Sequence, residues 1–186
     1  MNIRICGTGS ALPERKITND DLSQIMDTSD EWISSRTGIK TRHLATEETT
    51  TSLATEAAKK ALADADMKPE EVELIIAATV TPDHLVPTLS CEVQREIGAV
   101  NAVAFDLGAA CSGFLFALST AQAYIASGRF KNALLIGAEV LSKIMDWNDR
   151  STCVLFGDGA GAAVVRADEE NICHVVQGSD GTGTGM

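Results

Sequence analysis

Aromatic side chains make up only 4% of the 186-residue chain, which also has just four prolines and three histidines. Basic residues are scarce too: 15 lysines and arginines stand against 26 acidic residues, a formal net charge of −11. So acidic a composition excludes a general nucleic-acid binder, which needs basic groups to displace counterions from phosphates. No block of like charge is long enough to form an interaction tail. No uninterrupted apolar run reaches the roughly 18 residues of a membrane helix. The start, MNIRICGTGS, lacks the long apolar run and cleavage pattern of a secretory signal, so none is expected. The five cysteines, at 6, 91, 111, 153 and 173, form no CxxC pair, and His43, His84 and His174 show no ligand spacing. Neither a zinc site nor a disulfide framework is expected; reduced thiols in a cytoplasmic setting are.

Apolar residues make up 45% of the chain, enough for a sizeable core in one ordinary domain or in half of something larger. IRICGTGSALP reads as a first strand ending in a glycine turn. TNDDLSQIM reads as a short helix that Thr18 caps. In TSDEWISSRTG, Thr28 with Glu31 three residues on forms a capping-box pattern, and Gly38 suits the left-handed residue past the helix end. From Ser52 to Ala65 the apolar positions 53, 54, 57, 58, 61, 62 and 65 share one helical stripe. VELIIAATV reads as a buried strand, PTLSCEVQREIGA as a helix stopped at Gly98, AVAFDL as a strand, 111–127 as a helix ended by Gly128, and NALLIGAEVL as a strand. GAAVVRA and ICHVVQGS read as paired strands. This alternation predicts an α/β fold whose sheet is mainly parallel and covered on both faces. The end, SDGTGTGM, is glycine-rich with no closing element, so the chain is expected to continue beyond it.

Within FDLGAACSGFLFAL, Cys111 follows a strand and three small residues, Gly108, Ala109 and Ala110, and opens a helix. Small residues permit a sharp strand-to-helix turn. A sulfur there lies at the positive end of the helix dipole, near first-turn N–H groups that could also hold a developing oxyanion. Such surroundings favour the thiolate, the nucleophilic form. The turn is similar in plan to a nucleophile elbow, without the GxSxG pattern. The other reading is a small hydrophobe packed in a core, which free cysteine often is. Of the remaining four, Cys6 and Cys173 read as strand residues, and Cys91 and Cys153 lie among apolar neighbours without a glycine turn before them.

Trp32 and Arg36, four residues apart, share one helix face. They can form a surface cation–π pair, or offer a ring and a guanidinium between which a nucleotide base stacks, with charge for its phosphates. FGDGAGAAVV is not a dinucleotide fingerprint, because its glycines lead into a strand rather than a helix. No P-loop is present. Asp106 is expected to be structural rather than a base.

Four stretches in order carry a resemblance: TSDEWISSRTGIKTRH (28–43), ATVTPDHLVPTLSCEVQ (78–94), DLGAACSGFLFAL (106–118) and DRSTCVLFGDGAGAAVV (149–165). Together they resemble the β-ketoacyl-acyl carrier protein synthase III family of the thiolase superfamily. The resemblance implies a thiolase-like α/β fold, of which residues 1–186 form the N-terminal half-domain. That half has a five-stranded mixed sheet with helices on both faces, and its last residues lead into a second half. It implies an acyltransferase that initiates fatty-acid synthesis. An acyl group passes from acyl-CoA to Cys111, and the carbanion from decarboxylated malonyl-acyl carrier protein then opens the thioester in a Claisen condensation. It places Thr28, Trp32, Arg36 and Arg150 at the CoA mouth and aligns Val86 with a residue that bounds the acyl pocket across a homodimer. Ser151 stands where a glycine is expected beside Arg150. No cofactor or metal is implied, CoA being a substrate thioester. The histidine and asparagine that assist decarboxylation are expected in the missing C-terminal half, whose removal would uncover an apolar face. Two other functions fit the same residues: a noncatalytic partner subunit of a ketosynthase, and a related acyl-CoA condensing enzyme of secondary metabolism.

Overall fold

The run LIIAA, Leu74–Ala78, is buried along its whole length, so it must lie within a sheet covered on both faces. The computed structural model describes residues 2–170 and 174–182 and puts this run, β4, inside a five-stranded sheet. The sheet also contains β1 (Asn2–Ala11), β5 (Val103–Leu107), β6 (Asn132–Val140) and β7 (Asp158–Asp168), in the order β1-β7-β6-β4-β5. A two-stranded ribbon, β2 (Lys16–Thr18) with β3 (Thr41–His43), stands apart from it. The helices are α1 (Asn19–Ser23), α2 (Asp30–Thr37), α3 (Thr50–Asp64), α4 (Leu89–Ile97) and α5 (Gly113–Ala126).

Alternate residues of the central strands go to opposite cores, as the two-residue period of a strand requires. Ile75, Ala77, Leu134, Ile136 and Val164 pack with α3 and α4. Leu74, Ile76, Ala133, Leu135 and Val165 pack with Ala117, Ala121 and Ile125 of α5. Each leucine or isoleucine so buried contributes about 1.5–3 kcal/mol. A third cluster, Leu22, Ile33, Cys153 and Val154 with Trp32 and Trp147 against it, joins α1 and α2 to the turn at Cys153–Leu155.

The sheet is mixed rather than mainly parallel. β4 runs parallel to β5 and β6, whereas β7 is antiparallel to both β6 and β1. Strand–helix alternation predicts the two crossovers through α4 and α5. It carries no information about β7, which returns beside β6 with only two short 3₁₀ turns and no α-helix between them. The expected pairing of GAAVVRA with ICHVVQGS does not occur: β7 pairs with β1 and β6, and residues 174–180 are not strand, while 171–173 lie outside the described residues.

The glycines of β1 also have a different purpose from the turn expected of them. The strand continues through Gly7 and Gly9, with a shift of register against β7 between Ile5 and Gly7. A Cβ on Gly9 would stand 2.2 Å from the Ala57 carbonyl oxygen, and one on Gly7 would stand 2.4 Å from the Ala65 nitrogen. The strand backbone lies directly on the α3 backbone, a contact that only a residue without Cβ permits.

Helix boundaries follow local chemistry. Thr18 caps α1 through a capping box with Asp21, and Gly38 and Gly98 take the left-handed conformation after α2 and α4. The cap of α2 is Ser29, not Thr28: Ser29 is extended, and its hydroxyl accepts from the Trp32 N–H at 3.1 Å. Half-buried carboxylates secure two other helices. Asp106 accepts from the N–H groups of Leu89 and Ser90 at 2.9 and 2.8 Å, so it is structural as expected. Asp83 accepts from Thr50 and Thr51 N–H and pairs with Lys143 at 2.5 Å. Burial opposes the Asp83 charge, yet Lys143 and the Thr51 bonds outweigh it and hold the carboxyl well below the usual range.

Gly9→Ala should force β1 off α3 and destabilise the fold by about 3 kcal/mol or more; a denaturant midpoint unchanged from the wild type would contradict this close approach.

Candidate active site

β5 ends at Leu107, and the chain turns within a few residues into a single 3₁₀ turn, Ala110–Ser112, that leads directly into α5. Two features allow so abrupt a change. Ala110 takes φ of +43°, a left-handed conformation uncommon for alanine. A Cβ on Gly113 would stand 2.8 Å from the Ala78 Cβ, so the first residue of α5 rests against the last residue of β4. Cys111 therefore precedes the α-helix proper by one short turn, where a helix start was expected. Ser112, at the N-cap, makes no side-chain cap bond, so the cap residue leaves the positive end of α5 uncovered beside the sulfur.

Cys111 is exposed. It borders a hollow of about 360 Å³ whose walls include Val80, Phe114, Glu139, Leu141 and Phe156. An exposed sulfur above a mostly apolar hollow can take up a hydrocarbon-bearing electrophile, and the hydrocarbon can leave water. The sealed-core alternative does not hold for this cysteine. It does hold for Cys153, which is buried 3.4 Å from the Met26 sulfur and whose thiol is pushed up by burial and by Asp149. Cys6 lies in β1 and Cys91 in α4, both half-buried. Cys173 lies outside the described residues.

A second group gathers at the start of α2. The Arg36 guanidinium carbon lies 4.5 Å from the Trp32 ring centre, and that of Arg150 lies 5.4 Å away. The structure thus brings together one indole and two cations from segments far apart in sequence. Arg150 donates to the Asp27 carbonyl and, at 3.2 Å, to its carboxylate. Thr28, one residue before the Ser29 cap, has a buried hydroxyl with no partner among the described residues. Ser151 is turned toward Asp149, its hydroxyl donating at 2.6 Å; this bond and those from Thr152 and the Ser151 N–H hold the Asp149 carboxyl below its usual range. An indole flanked by guanidiniums suits a purine ring and its phosphates.

Val86 is 86% exposed and does not border the Cys111 hollow of its own chain. It sits with Leu85, 90% exposed, at the tip of a loop otherwise held down by Asp83 and by His84, whose Nδ1 meets Glu92 at 2.7 Å. His43 Nδ1 is 2.6 Å from the Pro13 carbonyl. Among the described residues no histidine or asparagine borders the Cys111 hollow. Among the described residues no cluster of histidine, cysteine and carboxylate fits a metal ion, and no helix is long and apolar enough to cross a membrane. The glycines of FGDGAGAAVV run into β7, with no helix after them, so they cradle no dinucleotide. Sequence reasoning missed Glu139, Leu141 and Phe156. The available signal for Glu139 was a lone carboxylate in the otherwise uncharged strand NALLIGAEV.

The family described as 3-oxoacyl-[acyl-carrier-protein (ACP)] synthase III matches residues 105–181. The chain is 57% identical over 183 residues to the β-ketoacyl-[acyl-carrier-protein] synthase III of Clostridium acetobutylicum, which covers 98% of this chain and 56% of that protein. It is 56% identical over 181 residues to the enzyme of the same name from Neisseria gonorrhoeae, covering 96% and 57%. It superposes on the crystal structure of 3-oxoacyl-[acyl-carrier-protein] synthase III from Aquifex aeolicus VF5 with a TM-score of 0.89 at 56% identity, covering 90% of this chain and 55% of that one. The priming β-ketosynthase of the R1128 polyketide pathway superposes with a TM-score of 0.87 at 40% identity, covering 90% and 50%. The chain spans about half the length of the curated relatives it matches.

Ala110→Gly should leave stability unchanged or raise it, whereas Ala110→Val should cost about 1–3 kcal/mol, because a β-branched residue resists the left-handed conformation. Equal midpoints for the two variants in chemical denaturation would contradict the strained turn.

Proposed function

Because the chain belongs to the β-ketoacyl-[acyl-carrier-protein] synthase III family, with the thiolase-like fold of that family, we propose that it is the N-terminal, nucleophile-bearing half of an acyltransferase that starts fatty-acid chains. The observation that carries the proposal is Cys111, exposed at a strand-to-helix turn above an apolar hollow.

In this reading acyl-CoA lies with its adenine against Trp32, between Arg36 and Arg150, and with Thr28 at the same mouth. The Cys111 thiolate attacks the thioester carbonyl. The carbonyl electrons move onto oxygen, and the positive end of α5 favours that charge. The oxygen electrons return, the carbon–sulfur bond to CoA breaks, and CoA leaves as its thiolate. The acyl group stays on Cys111 with its chain in the hollow. Malonyl-acyl carrier protein then loses carbon dioxide. The resulting carbanion attacks the Cys111 thioester, a carbon–carbon bond forms, and the cysteine sulfur is released. The histidine and asparagine that support decarboxylation come from the second half. That half also covers α5, which is apolar nearly all round and leaves Leu115 exposed. The exposed Leu85–Val86 tip reaches a second copy and closes its acyl pocket, making the working unit a homodimer. The free thiols fit a reducing cytoplasm.

A noncatalytic partner subunit needs neither an exposed cysteine nor a hollow beside it, so the geometry favours the enzyme. The fatty-acid pathway is favoured over secondary metabolism because the relatives of higher identity bear the synthase III name.

With the second half supplied, acyl-CoA should add one acyl mass to the protein, mapped to Cys111 and lost in Cys111→Ala. An adduct that maps to Cys6 or Cys91, or that survives the substitution, would overturn the assignment. Val86→Phe should move the acylation profile toward shorter acyl-CoA, because a larger side chain shortens the pocket it closes. An unchanged profile would count against that role.

A further inference from the structure

Glu139 poses a physical problem. It is the last residue but one of an apolar strand and borders the hollow at Cys111, where an aliphatic side chain would pack without losing hydration. Among the described residues no cation pairs with it; its partners there are three neutral donors from one short segment. Oε1 accepts from the Val80 N–H at 2.8 Å. Oε2 accepts from the Thr79 hydroxyl at 3.3 Å and from the Thr81 hydroxyl. The two hydroxyls are engaged in turn: Thr79 Oγ1 accepts from the Thr81 N–H at 3.1 Å, and Thr81 Oγ1 from the Val140 N–H at 2.9 Å. From the other side, Thr50 donates to the Thr81 carbonyl at 2.6 Å.

The carboxylate therefore joins the end of β6 to the chain leaving β4. The residue at the centre of the joined segment, Val80, is itself a wall of the hollow. We propose that Glu139 is a positioning residue: it fixes Val80 against the hollow and so sets the length of chain that Cys111 can carry. The same fixed segment continues into the loop bearing Asp83, Leu85 and Val86, so the clamp sets the loop's root as well. The proposal rests on the reading of Cys111 as the acyl-accepting thiol.

Its test needs no acyl-CoA, so its outcome is separate from that of the acylation assay. Butyl and octyl methanethiosulfonate each transfer an alkylthio group to a cysteine: the thiolate forms the S–S bond and methanesulfinate leaves. The rate at Cys111, followed by peptide mapping, gives an octyl-to-butyl ratio. In Glu139→Ala and in Thr79→Val, which loosens the clamp without removing the carboxylate, the ratio should rise by about tenfold, the lower end of what one methylene brings in an apolar pocket. Glu139→Gln should keep the wild-type ratio, because its oxygen still accepts from Val80 and its amide can donate to a threonine hydroxyl. A wild-type ratio in both loosened variants, whatever their melting temperatures, would overturn the proposal. So would a rise in Glu139→Ala alone, which would mark added volume rather than a released wall. If Glu139→Ala does not fold, Thr79→Val decides the matter by itself.

Discussion

The start of α5 touches the end of β4, and that contact requires a glycine. With a Cβ on Gly113 only 2.8 Å from that of Ala78, the helix could not begin where it does. The seat of α5 fixes everything near Cys111. The helix lies across the sheet with Ala117, Ala121 and Ile125 inward, so its first turn emerges beside the C-terminal ends of the parallel strands β4, β5 and β6. That end of a parallel sheet is where open α/β folds present loops and functional groups. The left-handed Ala110 is the cost of turning from β5 into a helix already seated so close.

Carboxylates organise the rest of that end. Asp106, one residue before the end of β5, holds the start of α4; Glu139 at the end of β6 holds the segment after β4; Asp158 at the start of β7 accepts from Ala45 N–H at 2.7 Å and Ser142 N–H at 2.9 Å. Each ties a loop to a strand through backbone donors, which fixes position without asking much of sequence on the partner side. This accounts for part of the acidic excess without any cationic ligand. It also explains how a loop tip as apolar and exposed as Leu85–Val86 is carried on a firmly held base.

Periodicity made the long elements legible: the stripe from Leu53 to Ala65 is α3, and LIIAA and NALLIGAEV are central strands. Cap chemistry located Thr18, Gly38 and Gly98. Strand direction was not legible, because β7 reverses without any local signal of its own. Gly7 and Gly9 were misread as a turn because a glycine that admits a neighbouring helix looks the same in sequence as one that bends the chain. At the site, Cys111, Trp32, Arg36 and Arg150 were named in advance, and the last three do meet. Glu139, Leu141 and Phe156 were not, since walls of a hollow come from distant strands and share no motif. Thr28 was assigned a capping role that belongs to Ser29, since either hydroxyl could accept from the N–H three residues on, Glu31 for Thr28 and Trp32 for Ser29, and only backbone conformation decides.

The central claim is that the turn before α5 makes the Cys111 sulfur the most available to an electrophile among the four cysteines described. Limiting iodoacetamide followed by peptide mapping tests it directly, because the reagent is small, carries no acyl or nucleotide group and samples all five cysteines together. The account predicts that Cys111 is carboxamidomethylated before Cys6 and Cys91, and that Cys153, buried beside Met26, is labelled after them. Labelling that begins at Cys6, Cys91 or Cys153 while Cys111 stays unmodified would contradict it.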